Sequence, residues 1–258
     1  MIPCIGIIGA GHLAGYLVAG WRHAAPDLRV SLSPRNAAQA ASLAATYGAI
    51  VAPDNPAVVA AAEVIVLATR APDALAALRA CTFRPEQLVI SVAASVRLAE
   101  LAAAAAPARV VRALPLSCAA VNASPTLLCP DDAEARTLFE PLGTVHALAD
   151  EAQFIRASVI SAFYGWVYAL LDATVAWTAA GGVPPALARG LALETVRGAA
   201  SLALAEDAQP LTALLDALAT PGGITRHGLT VLRQQGGLTA WTAALDAVYA
   251  RLTDPGSG

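Results

Sequence analysis

Ile5-Gly6-Ile7-Ile8-Gly9-Ala10-Gly11-His12-Leu13-Ala14 is the stretch on which the reading of this chain turns. Four apolar residues of strand type run directly into Gly9-x-Gly11-x-x-Ala14, and a helical pattern follows to about His23. Each small residue has a physical reason to be there. Gly9 lets the chain turn sharply, Gly11 lets backbone approach a pyrophosphate, and Ala14 lets the helix pack close to the strand. A helix starting at this point offers unpaired N–H groups and a partial positive charge to phosphate. A glycine-rich turn without a ligand carries the same letters, so the surrounding sequence must decide.

Outward from it, strands are predicted at 28–32, 64–68, 88–92 and 108–112. Helices are predicted at 37–47, with Gly48 as a left-handed stop, and at 73–80 and 98–105. The runs Val64-Ile65-Val66-Leu67 and Leu88-Val89-Ile90 are apolar throughout, as strands covered on both faces must be. Strand–helix alternation of this kind defines an α/β fold, a Rossmann-type doubly wound sheet. After about residue 148 strand-like runs vanish. Helices are predicted at 151–180, 184–205, 211–218, from 225 onward, and at 237–252. The expected organisation is a dinucleotide-binding Rossmann domain over 1–148 and an all-helical substrate and dimerisation domain over 149–258. The helix 163–179 is apolar around most of its circumference, which predicts burial on all sides. A second copy of the chain is the expected source of that cover, hence a homodimer through the C-terminal helices.

The end of the second strand selects the cofactor. An acidic residue there would bond a ribose 2′-hydroxyl; this chain has Leu32-Ser33-Pro34-Arg35-Asn36 instead. Ser33, Arg35 and Asn36 can bond a 2′-phosphate, and a guanidinium suits it geometrically. NADP(H) is the expected cofactor, although a solvated Arg35 in a loop would read the same way.

Composition narrows the classes. Of 258 residues, 57% are hydrophobic and 14% charged, so much apolar surface must be hidden in a core or between subunits. Net charge is −3 with no basic stripe, which argues against nucleic acid. The uncharged stretch 157–171, bracketed by Arg156 and Asp172, falls short of the roughly 18–20 residues that span a bilayer. No membrane partner is expected, and a start without a basic n-region points to the cytoplasm. Cys4, Cys81, Cys118 and Cys129 are too scattered for a CxxC site and read as reduced thiols. The four histidines have no ligand spacing, so no metal is expected. The chain contains no lysine, which excludes Schiff-base chemistry and the Tyr-x-x-x-Lys pair of short-chain dehydrogenases.

With these pieces in order, the sequence resembles the pyrroline-5-carboxylate reductase family over nearly its whole length. The resemblance rests on Ile5 to Ala14, Val66-Leu67-Ala68-Thr69-Arg70, Ile90-Ser91-Val92-Ala93-Ala94 and Arg109-Val110-Val111-Arg112-Ala113-Leu114-Pro115. Late in the chain Thr220-Pro221-Gly222-Gly223-Ile224-Thr225, followed by Gly228-Leu229, is similar to the family's T-S-P-G-G-T-T and G-L. The resemblance implies NAD(P)H reduction of a cyclic imine by an interlocked homodimer. It implies that Gly9, Gly11, His12, Leu13 and Ala14 meet the cofactor phosphates. Ser33, Arg35 and Asn36 would take the 2′-phosphate, Thr69 and Arg70 would line the dinucleotide, and Ala93 and Pro115 would border the nicotinamide. Thr225 would sit beside the substrate.

Two stretches depart from the family pattern. Leu114-Pro115-Leu116-Ser117-Cys118 stands where the family has M-P-N-T-P, without the Asn. The family's glycine-bearing substrate loop is replaced by Ser158-Val159-Ile160-Ser161-Ala162-Phe163-Tyr164-Gly165-Trp166-Val167-Tyr168. The expected pocket is therefore remodelled and more aromatic. An imine carbon is already electrophilic, so a positioned hydride donor and a proton source suffice. Thr225, Tyr164 and His227 are the expected catalytic candidates, with Ser161 and Tyr168 as further hydroxyls. Tyr164 and Tyr168 also read as core aromatics, and His227 as a surface histidine. Two alternatives stay open: a non-catalytic NADP(H)-binding dimer, and a reductase of a carbonyl compound.

Overall fold

A computed structural model describes residues 4–254. Two compact units appear: the second is Val159–Arg251, and the first holds the described residues on either side of it.

In the first unit the chain runs β1 (Cys4–Ile8), α1 (His12–Ala24), β2 (Arg29–Leu32), α2 (Ala37–Tyr47), β3 (Ile50–Val51), α3 (Asn55–Ala61), β4 (Val64–Leu67) and α4 (Ala71–Arg79). It continues through β5 (Leu88–Ser91), α5 (Leu98–Ala105), β6 (Arg109–Leu114), β7 (Thr126–Cys129), α6 (Ala133–Phe139), β8 (Val145–Ala147) and α7 (Glu151–Ser158). The eight strands form one sheet in the order β3-β2-β1-β4-β5-β6-β7-β8. Strands β3 to β6 pair in parallel, β7 is antiparallel to β6, and β8 is parallel to β7. The strand order reverses direction between β1 and β4, which makes their C-terminal ends the switch point where ligands bind in such sheets.

The continuous apolar runs are explained by two-sided burial. Side chains alternate along a strand, so Ile5 and Ile7 enter one core cluster and Ile8 the other. Val64 and Val66 likewise face the first cluster, Ile65 and Leu67 the second. Trp21 anchors the first, donating from Nε1 to the Leu138 carbonyl at 2.9 Å with its ring 6.1 Å from that of Phe139. Gly48 closes α2 at φ +66, the left-handed stop expected of it. Farther along the sheet, the buried guanidinium of Arg112 on β6 pairs with Glu151 at 2.7 Å and lies 4.6 Å over the Phe154 ring. The Leu98 backbone N–H also donates to Glu151, at 2.7 Å, so one carboxylate ties α7 to β6 and α5.

The second unit is helical: α8 (Ile160–Ala180), α9 (Pro185–Ala205), α10 (Leu211–Leu218), α11 (Ile224–Gln234) and most of α12 (Gly237–Thr253). Trp241 on α12 packs edge-on against Phe163 and Trp166 of α8, at 5.8 and 5.7 Å. Within the single chain helix α8 has no buried residue, and Trp177 is 81% exposed, so the cover expected from a second copy is not supplied by this chain itself. One expectation is corrected here: the length argument against a bilayer fails. The helical stretch Glu151–Ala180 is long and apolar enough to cross a membrane, because single charges such as Arg156 and Asp172 do not divide it.

Candidate functional site

The loops that follow β1, β2, β4, β5 and β6 all leave the same edge of the first unit's sheet, since these strands run in parallel. Ile8, Leu67 and Ser91 stand side by side at that edge, one residue before the loops begin. This brings together every residue assigned to the cofactor from sequence.

At the centre is the turn after β1. Gly9 sits at φ +104, and a Cβ there would lie 2.7 Å from the Ala68 carbonyl carbon. No side chain fits that approach of two loops. Its N–H donates to Ser33 Oγ at 2.8 Å, locking the turn to the end of β2. Gly11 is the N-cap of α1 and makes no side-chain cap. The first-turn N–H groups of a helix have no intrahelical acceptors, and at Gly11 an added Cβ would meet nothing within 4 Å. The result is an open seat of backbone donors. His12 and Leu13 border it, exposed and half-buried, while Ala14 is fully buried against the sheet.

The flanks differ in what they offer. Ser33 is buried, and its Oγ already accepts from the Gly9 N–H. Asn36 caps α2, accepting from Gln39 N at 3.4 Å, so its amide NH₂ is the group left for a ligand. Thr69, in the loop two residues after β4, has a buried Oγ1 with no hydrogen-bond partner. A buried hydroxyl without a partner is costly, which makes this atom a pointer to an absent polar group. Arg35 and Arg70 are exposed, and both reach Oδ2 of Asp73, at 3.4 and 3.3 Å. Ala93 and Pro115 are buried in the loops after β5 and β6. Gly11's open seat, the Thr69 hydroxyl and the paired guanidiniums together fit a phosphorylated dinucleotide.

The catalytic candidates lie in the second unit, on two different helices. Tyr164 is on α8, where its hydroxyl is 2.8 Å from that of Tyr168 and the rings meet edge-on at 5.3 Å. Thr225 and His227 are in the first turn of α11, both exposed. His227 borders a cavity of about 400 Å³ lined also by Gly222, Gly223, Ile224 and Arg226. Sequence reasoning missed Arg226, whose Nε donates to the Ala219 carbonyl at 2.7 Å. Its only signal was its place between the two candidates. It missed Asp73 as well, although the Arg70-x-x-Asp73 spacing at a helix start marks a facing pair.

A switch-point phosphate seat in the first unit, followed along the chain by a helical unit, places the chain among the Rossmann-type oxidoreductases that use a nicotinamide dinucleotide. Comparison with known proteins agrees. Residues 4–95 match the family model described as NADP oxidoreductase coenzyme F420-dependent, and 151–254 match pyrroline-5-carboxylate reductase dimerisation. The chain is 30% identical to a pyrroline-5-carboxylate reductase of Pseudomonas aeruginosa, covering 96% of this chain and 95% of that protein. It is 29% identical to that of Synechocystis sp., with 98% of each covered. A Plasmodium falciparum pyrroline carboxylate reductase solved with NADP bound superposes with a TM-score of 0.86 at 20% identity, over 99% of this chain and 98% of that one. The chain belongs to the pyrroline-5-carboxylate reductase family.

Proposed function

We propose that this protein is an NADPH-dependent reductase of a cyclic imine, with 1-pyrroline-5-carboxylate, reduced to L-proline, as the first substrate to test. Bound NADPH supplies the hydride that reduces the imine carbon. The observation that carries the reading is the convergence of five loops on one sheet edge, with the partnerless Thr69 hydroxyl among them. In this assignment Gly9, Gly11, His12, Leu13 and Ala14 seat the pyrophosphate. Ser33, Arg35 and Asn36 hold the 2′-phosphate, Thr69 and Arg70 line the dinucleotide, and Ala93 and Pro115 flank the nicotinamide. Thr225, Tyr164 and His227 are assigned to the substrate end, where a proton must reach the imine nitrogen.

The work divides between a cofactor domain over 1–148 and a helical domain over 149–258. The protein acts as a homodimer through the latter, in keeping with the match to a dimerisation model and with the bare apolar faces of α8 and α9. A cytoplasmic setting suits its four cysteines, none of which is in a disulfide. The test is loss of NADPH absorbance with pyrroline-5-carboxylate and with cyclic imines lacking the carboxylate. Binding of NADPH without turnover of any imine or ketone would leave a non-catalytic binding protein; turnover of ketones alone would make it a carbonyl reductase.

A further inference from the structure

Two guanidiniums from different loops share one carboxylate oxygen at the adenosine side of the seat described above. Arg35 follows β2 and Arg70 follows β4, and both reach Asp73 Oδ2, at 3.4 and 3.3 Å. Asp73 stands in the first turn of α4, its backbone N–H held by the Arg70 carbonyl at 3.0 Å, so the helix start fixes the backbone that carries this short side chain. Both arginine side chains are largely exposed, while Asp73 is 27% exposed. The anion is therefore the fixed member and the cations the adaptable ones. Two guanidiniums that can meet on one carboxylate oxygen can meet on one phosphate.

We propose that Asp73 is a specificity-determining residue that occupies the 2′-phosphate seat until NADP(H) displaces it, and that it lets the site also accept NAD(H). The proposal rests on the NADP(H) reading of the site. A 2′-phosphate brings close to two negative charges and three acceptor oxygens, so it outcompetes a single carboxylate for the arginines. The carboxylate still weakens NADPH binding, because it neutralises part of the positive field and lies beside the incoming phosphate. With NAD(H) the balance reverses. A ribose 2′-hydroxyl needs an acceptor, and an acidic residue is the group that supplies one in NAD-selective sites. Asp73 is the carboxylate that the structure puts beside Arg35, the residue expected to select NADP(H).

The experiment is titration of NADPH and of NADH into the full-length protein, followed by intrinsic fluorescence, for wild type, Asp73→Asn and Asp73→Glu. Asp73→Asn keeps the shape and removes the charge. It is expected to tighten NADPH and weaken NADH, moving the ratio of their dissociation constants roughly fivefold toward NADPH, the scale of an exposed ion pair. The gain in NADPH affinity should shrink as salt is raised. Asp73→Glu, which keeps the charge, should stay near the wild-type ratio; a helix-start defect alone would weaken both cofactors equally. If wild type binds NADPH and the ratio is unchanged in Asp73→Asn, the role of Asp73 is overturned and the NADP(H) reading stands. If wild type binds neither cofactor, both are overturned.

Discussion

Gly9 and Gly11 are two residues apart in one loop, yet alanine should damage the protein differently at each. At Gly9 the backbone has φ +104, and an added Cβ would stand 2.7–2.8 Å from Ala68 C, Ala68 O and Thr69 N. A positive φ costs an L-residue about 1–2 kcal/mol, and forcing backbone apart adds about 1–3 more. A loss of about 3 kcal/mol corresponds to a fall in Tm of roughly 6–12 °C for a protein of this size. At Gly11 the backbone is extended, φ −95, and the new methyl meets no atom within 4 Å. The fold should lose only about 0.5 kcal/mol, the difference between glycine and alanine as a cap. The methyl instead fills the space in which phosphate oxygens must approach the first-turn N–H groups of α1. Losing one charge-assisted hydrogen bond there, about 1.5–3 kcal/mol, weakens NADPH roughly 10- to 100-fold.

Differential scanning calorimetry and NADPH titration on both variants separate the two effects. Gly9→Ala should melt early; Gly11→Ala should melt near wild type and bind poorly. The reasoning is refuted if Gly11→Ala binds NADPH within about twofold of wild type, or if Gly9→Ala melts within about 1 °C of it.

Arg35→Leu should weaken NADPH about tenfold or more while leaving NADH nearly unchanged, measured as the ratio of KM values. Thr69→Val removes a buried hydroxyl with no partner, so Tm should hold or rise while NADPH affinity falls; a lower Tm with unchanged affinity would sink that reading. Glu151→Ala leaves the buried Arg112 without its carboxylate and Leu98 N–H without its acceptor, which should cost about 3 kcal/mol in chemical denaturation. Trp177→Glu places a charge on a side chain that is 81% exposed in the single chain; if α8 lies in a dimer interface, sedimentation should show monomers with unchanged helical circular dichroism.

What could be read from the sequence follows from how strongly each element is constrained locally. Strand β4, Ile5 to Ile8 of β1 and Leu88 to Ile90 of β5 are buried on both faces, so no polar side chain interrupts them and the run announces itself. Helix α5 was legible at both ends, 98–105, and α10 at 211–218. The pieces that escaped notice are short or have one wet face. Strand β3 is two exposed residues, and β8 is three residues of which His146 and Ala147 are exposed. Helix α3 has a readable start, with Asp54 accepting from Ala57 N at 2.8 Å and proline in the first turn, but seven residues give no periodicity to count. The glycine turn was legible because its chemistry is backbone chemistry. The Asp73 cluster was not: it joins loops nearly forty residues apart in sequence, and only the strand order shows that β2 and β4 flank the same neighbour.

The helical unit poses the opposite problem, since its composition was legible and its surroundings were not. The stretch Glu151–Ala180 satisfies the length and hydropathy of a membrane span, and α8 hides none of its residues within its own chain. Two environments can cover such a helix, lipid or protein, and the charges help to choose between them. Lipid would have to accept Asp172 eight residues from the end of α8, at a cost of several kcal/mol near mid-bilayer. It would also have to accommodate its neighbour α9, whose exposed Glu194 and Arg197 pair with each other in mid-helix. Bare leucines on that same helix, Leu187, Leu191 and Leu202, lie about one to two turns from these charges. Apolar stripes interrupted by polar groups at helical spacing suit a protein surface, where a partner can bring donors and acceptors to meet the charges. The covering surface is therefore expected to carry its own arginines and carboxylates, and a second copy of this unit does.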